Sequence, residues 1–197
     1  MKPIAISTTL VLILALCLAA IAAEADNVDV AEFDDSGNLV VPADLDTWVF
    51  LGSSLGMGYS QDSFDPGSPG MFQIVRMEPN AYAAFLDTGE FVDGTMIALH
   101  FYGSQNNVSI NRAGFVMDNL HFAEIHYKDS KYPDGFNFFT FNPGDETAAE
   151  VALPNECVEC HKRDGAYDGV FVQFYPDIHK HLPVDVQESL KQEQSPH

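Results

Sequence analysis

From residue 71 onward, apolar and polar positions alternate with the period of two that a half-buried strand requires. Met71, Gln73, Val75 and Met77 share one face of a first candidate strand. Thr95 to Tyr102 is a second, with Thr95, Ile97, Leu99 and Phe101 on one side and Met96, Ala98, His100 and Tyr102 on the other. Phe115 to Tyr127 and the aromatic run Phe136 to Phe141 predict two more. Between them, Pro79 to Leu86 reads as a short helix, with Pro79 in its first turn and Gly89 just past its end. Turn residues punctuate the pattern at Gly52 to Gly70, Gly103 to Arg112, Lys128 to Gly135 and Asn142-Pro143-Gly144. The first of these loops is long for a compact domain and reads as a cover, with Met57 and Tyr59 within reach of a pocket. Asp44 to Gly52, with Trp48, predicts a short helix or strand opening the core. Residues 145–153 lead in to Pro154, where a short helical segment starts. Ala166 to Tyr175 is aromatic and is ended by Pro176, and Val184 to Gln194 has an amphipathic helical pattern. The expected fold class is α+β: mainly antiparallel β sheet with a few short helices. No internal repeat is visible, and a single domain over residues 45–182 is followed by a tail, 183–197.

The N-terminus is patterned differently. Lys2 precedes an apolar run from Ile4 to Ala23, with small residues at Ala20, Ala22 and Ala23, the signature of a secretory signal peptide over residues 1–23. Cys17 lies inside that run, and Leu16 before it is too large for a lipoprotein site. The exported chain then keeps Cys157 and Cys160 alone, and periplasmic localisation is the expectation. Residues 24–44 are acidic (Glu24, Asp26, Asp29, Glu32, Asp34, Asp35) and read as a flexible segment. With 197 residues, 46% hydrophobic and 19% charged, the rest is long and apolar enough for a core. The formal charge of −20 argues against nucleic acid and against anionic membranes once the signal is removed. A neutral or cationic small molecule, or a basic redox partner, is compatible with it. Fifteen Phe suit both a β core and a pocket for a flat macrocycle.

The chemistry concentrates in Cys157-Val158-Glu159-Cys160-His161. Two thiols two residues apart, followed at once by an imidazole, form the attachment pattern of haem c, with His161 as axial iron ligand. A redox dithiol, a disulfide or half of a zinc site are the competing readings. A dithiol does not require the histidine, and no second Cys-rich pair exists to complete a zinc site. The expectation is therefore a C-terminal haem-binding segment, with one covalently bound haem per chain on Cys157 and Cys160 and iron on His161. For the opposite side of the iron, His100, His121 and His126 are candidates, each more often an ordinary strand histidine. Met57, Met71, Met77, Met96 and Met117 are candidates too, more often core filler. Arg76 and Arg112 are rare positive charges that suit a propionate or a surface ion pair. Glu159 and Asp168 lie near the motif as proton-relay candidates. His179 and His181 have no cysteine pair upstream, so a second haem is not supported.

The order of several short runs resembles the cytochrome P-460 family over roughly residues 45–178. They are Trp48 to Gly52, Glu78-Pro79-Asn80-Ala81-Tyr82, Phe91 to Thr95, Lys128-Asp129-Ser130-Lys131 before the aromatic strand, the haem motif, and Tyr167 to Pro176 after it. The resemblance, which extends in architecture to cytochrome c′-beta, implies an antiparallel sheet around one haem, a homodimer, and five-coordinate iron with an open distal site. It implies either hydroxylamine oxidation, with a haem–lysine cross-link, or nitric oxide binding under aromatic caps. Of Lys128, Lys131, Lys162, Lys180 and Lys191, only Lys128 and Lys131 remain for a cross-link, and the resemblance favours a structural role for them as a lysine pair at the turn; the strand Thr95 to Tyr102 has no lysine. The reading favours no cross-link. A redox cytochrome acting on small nitrogen species is thus expected, the alternatives being a non-catalytic nitric oxide scavenger and a six-coordinate electron-transfer cytochrome.

Overall fold

A computed structural model describes residues 28–58, 65 and 67–193. The signal peptide, residues 24–27 of the acidic segment and Tyr59 lie outside the described residues. Seven strands form one sheet: β1 (Leu39–Val40), β2 (Val49–Leu55), β3 (Phe72–Met77), β4 (Met96–Gln105), β5 (Val116–Lys128), β6 (Phe136–Phe141) and β7 (Thr147–Glu150). Their spatial order is β1-β7-β6-β5-β4-β3-β2, antiparallel throughout. Strands β2 to β7 thus form a meander, and the N-terminal strand comes round to pair with the last one. Helix α1 (Pro79–Thr88) links β3 to β4, and α2 (Glu156–Asp164) and α3 (Val184–Glu193) follow the sheet. This is the α+β antiparallel architecture that the alternation predicts. Among the described residues no helix is long and apolar enough to cross a membrane.

Register assigns the two faces. Ile97 lies opposite His126, Leu99 opposite Glu124, and Phe101 opposite Phe122; on the next strand Phe138 and Thr140 lie opposite His126 and Glu124. Directly opposed residues share a face, so these side chains form one surface. Val75, Met77 and Ile97 on that surface pack under Phe85 of α1 and under Val172, Tyr175, Ile178 and Leu190 from the C-terminal part of the chain. Phe136 and Phe138 pack under Val158 of α2. Full burial of Val158 contributes about 2 kcal/mol to seating that helix.

The opposite face holds Met96, Ala98, Ala123, Ile125, Tyr127, Phe139 and Phe141, covered by Leu39, Leu45 and Trp48. Here the picture of a loose N-terminal segment is corrected from Val28 onward. Leu39 is 0% exposed and pairs with Ala148, Val40 N donates to Glu32 O, and the Phe33 ring meets Tyr127 edge-on at 5.6 Å. The acidic residues alternate with apolar ones that have a core to enter, so the segment docks despite its charge. Residues 145–153, where the sequence predicts only a lead-in to Pro154, contain β7.

Candidate functional site

Helix α2 starts at Asn155, whose side chain accepts from Val158 N at 2.9 Å as an N-cap. The amide of Asn155 also donates to the fully buried Asn137 of β6 and to Val151 O, which ties the helix end to the sheet. Glu156 and Glu159 near its start and Lys162 and Arg163 near its end complement the helix dipole. Cys157, Cys160 and His161 fall at i, i+3 and i+4 and share one helix face.

Both thiols are free and half-buried. Burial pushes Cys157 up, and the Glu124 carboxylate adds to the effect. Burial likewise raises Cys160, whose S–H donates to Asp164. A redox dithiol depends on a stabilised thiolate, and this environment works against one. Among the described residues no group of three or more His, Cys, Asp or Glu could hold a metal ion, which leaves a zinc site without a ligand set.

His161 is packed on three sides. Its ring centroid lies 4.4 Å from Phe171, 4.7 Å from Phe138 and 5.3 Å from His126. Nδ1 lies 2.6 Å from Gly169 O. A carbonyl only accepts, so Nδ1 carries the hydrogen and Nε2 keeps its lone pair. Burial lowers the pKa of the ring, more than the Gly169 hydrogen bond raises it, so the imidazole is neutral near pH 7. A neutral imidazole, oriented through Nδ1 with Nε2 left to coordinate, is the form a metal ligand needs. Together with two thiols free of any disulfide on the same helix face, these residues fit a covalently attached haem.

The carbonyl is presented by a tight turn. Asp168 (φ 51°) and Gly169 (φ 70°) are both left-handed, and Val170 N donates to Tyr167 O at 2.8 Å. An Asp-Gly pair suits such a two-residue connection. A Cβ on Gly169 would stand 2.5 Å from Phe136 Cε1, so only glycine lets the turn approach.

From His126 and Phe138, half-buried Leu99, Phe101 and Phe122 extend the same face as an apolar shelf, with Phe101 and Phe122 stacked at 4.2 Å. Beside Phe171, a cleft of about 200 Å³ is lined by Met57, Gly58, Asp164, Gln173 and Phe174. One shelf residue, Glu124, was missed by sequence reasoning. Burial pushes its carboxyl above the usual range. The signal was available: on β5 the stripe Phe122, Glu124, His126 carries a lone carboxylate among rings.

The other candidates scatter. His126 lies on the shelf face but beside His161, sharing Phe136 and Phe138 with it; burial first, then His161 and Lys128, hold its pKa well below the ordinary value. His100 is on the opposite face with Met96 and Ala98, stacked on Tyr102, and His121 is exposed. Met77 and Met96 are buried in the two cores, Met71 is half-buried before β3, and Met117 is exposed; Met57 alone lines the cleft. Arg76 stands near enough to lower the His100 pKa, and Arg112 donates to Ser109 O. Glu159 pairs with Lys162, which also holds Asp134 at 2.8 Å. Lys128 holds Asp168 at 2.5 Å. Lys131 pairs with Asp129 and stands over Phe33, Tyr127 and Tyr132, on the side of the sheet away from α2.

An antiparallel sheet that sets a two-thiol, one-imidazole helix against an apolar shelf fits a haem protein. Over residues 42–172 the chain matches the family described as Cytochrome P460. The chain belongs to the cytochrome P460 family, and membership carries haem and iron binding. Comparison with curated proteins gives no match.

Proposed function

We propose that this cytochrome is an exported, periplasmic oxidoreductase with one haem c per chain, and that it acts on a small nitrogen species of the hydroxylamine class. Cys157 and Cys160 would form the thioether links and His161 would bind the iron. The observation that carries the reading is the neutral His161, fixed through Nδ1 to Gly169, beside an apolar shelf that bears phenyl rings and one carboxyl. The haem supplies a coordination position and an electron acceptor or donor. Leu99, Phe101 and Phe122, half-buried on that face, would limit water around a small neutral ligand. Glu124, whose carboxyl burial raises above the usual carboxylate range, would accept a proton from an N–H or O–H group of a substrate held there. The acidic surface suits a basic redox partner. A homodimer is part of the proposal, on the family resemblance alone.

The stacked Phe101–Phe122 pair and the engagement of Lys128 and Lys131 elsewhere favour a second reading, reversible nitric oxide binding without turnover. Purified protein decides between them. Pyridine haemochrome analysis should give one haem c per chain, and the reduced spectrum should be high-spin. Hydroxylamine with an artificial electron acceptor should be consumed catalytically; nitric oxide binding without consumption supports the second reading, and a low-spin, six-coordinate spectrum rejects both. His161→Ala should keep the haem attached and lose the iron–imidazole bond.

A further inference from the structure

We infer that the Lys128–Asp168 ion pair is a positioning device for His161, acting through the Asp168-Gly169 turn; the inference rests on the haem reading above. Four observations converge on that turn. Its two central residues are both left-handed, and one of them is not glycine. An aspartate in that region is strained unless its surroundings hold it there. Phe136 closes one side of the turn, because its ring fills the space where a Gly169 side chain would go. Lys128 closes another: its Nζ lies 2.5 Å from Asp168 Oδ2, and the lysine side chain is 17% exposed. The lysine and arginine side chains of the other ion pairs among the described residues are 40–70% exposed, so Lys128 is the paired cation withdrawn furthest from solvent screening, while Asp168 is 37% exposed.

Lys128 and Phe136 are partners in register on β5 and β6. The turn is therefore held by two adjacent strands of the sheet that also carry His126 and Phe138 against the His161 ring. What the clamp delivers is the Gly169 carbonyl, 2.6 Å from His161 Nδ1. The strength of that hydrogen bond governs how much imidazolate character the ring has, and hence how strongly Nε2 donates. Lys128, read from sequence as a cross-linking or turn lysine, acts instead on the iron's proximal bond from a distance.

The test uses holoprotein carrying Lys128→Met, Asp168→Asn, both together, or Lys128→Arg. Asparagine tolerates the left-handed region, so Asp168→Asn removes the charge and leaves the turn. Haem c content is measured first; absence of haem from the unmutated protein would overturn the haem reading itself. With haem attached, resonance Raman of the reduced, unliganded protein gives the iron–histidine stretch. Each single neutralisation should lower that frequency, the double variant should fall no further than either, and Lys128→Arg should keep the unmutated value. Unchanged frequencies in Asp168→Asn with haem attached overturn the inference, and so does an additive double variant. Should Lys128→Met not fold, Asp168→Asn alone decides.

Discussion

Leu39→Ala tests whether the N-terminal segment is part of the folded unit. The side chain is 0% exposed and lies in the cluster with Ala98, Ile125, Phe139 and Ala148. Truncation there removes the transfer free energy of three carbons and leaves a cavity, which in well-packed cores costs about 3–5 kcal/mol. Strand β1 is two residues long and lies at the sheet edge, so it can collapse inward. The lower end, about 3 kcal/mol, is the expected loss. For a chain of this size that corresponds to a fall of about 6–12 °C in Tm. Urea unfolding of the holoprotein, followed by far-UV circular dichroism, measures it at unchanged m-value. The haem spectrum should not change, because Leu39 and His161 pack on opposite faces of the sheet. A loss below about 1 kcal/mol would show that the segment is only loosely docked and would refute the reasoning. A spectral change at the haem would refute the separation of the two faces.

Other outcomes follow from single residues. Gly169→Ala forces a side chain into a left-handed position against Phe136, costing about 3 kcal/mol from strain and overpacking together; equilibrium unfolding and the iron–histidine stretch should both report it. Glu124 has a folded-state pKa above its unfolded value, so the stability it contributes is present at low pH and is lost as pH rises through the folded value. Glu124→Gln should accordingly match the unmutated protein in stability near pH 4 and exceed it increasingly at higher pH. The same variant should slow hydroxylamine turnover, whereas nitric oxide affinity should hold; a turnover rate unchanged across pH would remove Glu124 from proton transfer. Lys131 Nζ stands 4.8 to 5.1 Å from the centroids of Phe33, Tyr127 and Tyr132, so Lys131→Met should cost about 1 kcal/mol in chemical denaturation.

The elements legible in the sequence are those whose own residues carry the signal. Helix α1 has Pro79 at its first position, Glu78 accepting from Ala81 N, and a left-handed Gly89 at its end. Strand β6 is an aromatic run buried on both faces, and it matches its predicted limits. Strands β1 and β7 do not announce themselves, because two residues and Thr-Ala-Ala-Glu carry little intrinsic preference, and neighbouring strands decide their state. At the site, the motif and its helix were readable, as was the alternation that groups His100 with Met96 and Tyr102. Which of the two faces receives the helix was not, since that depends on the connection after β7. Glu124 could have been found as a charge inside an aromatic stripe. The Lys128–Asp168 contact joins residues forty positions apart, and no local pattern encodes it.

The return of the N-terminal strand to the last strand has a consequence for the order in which the chain is made. Each strand from β2 to β7 finds its partner as soon as the next one is synthesised, and such local pairing forms quickly. Leu39 emerges first and waits for Ala148, its partner, until nearly the whole sheet exists. Closing that contact carries the loop entropy of the entire meander. Cys157 and Cys160 follow β7 directly. The last pairing of the sheet and the arrival of the attachment helix therefore fall at the same moment, and a chain interrupted before that moment has neither a closed core nor a site.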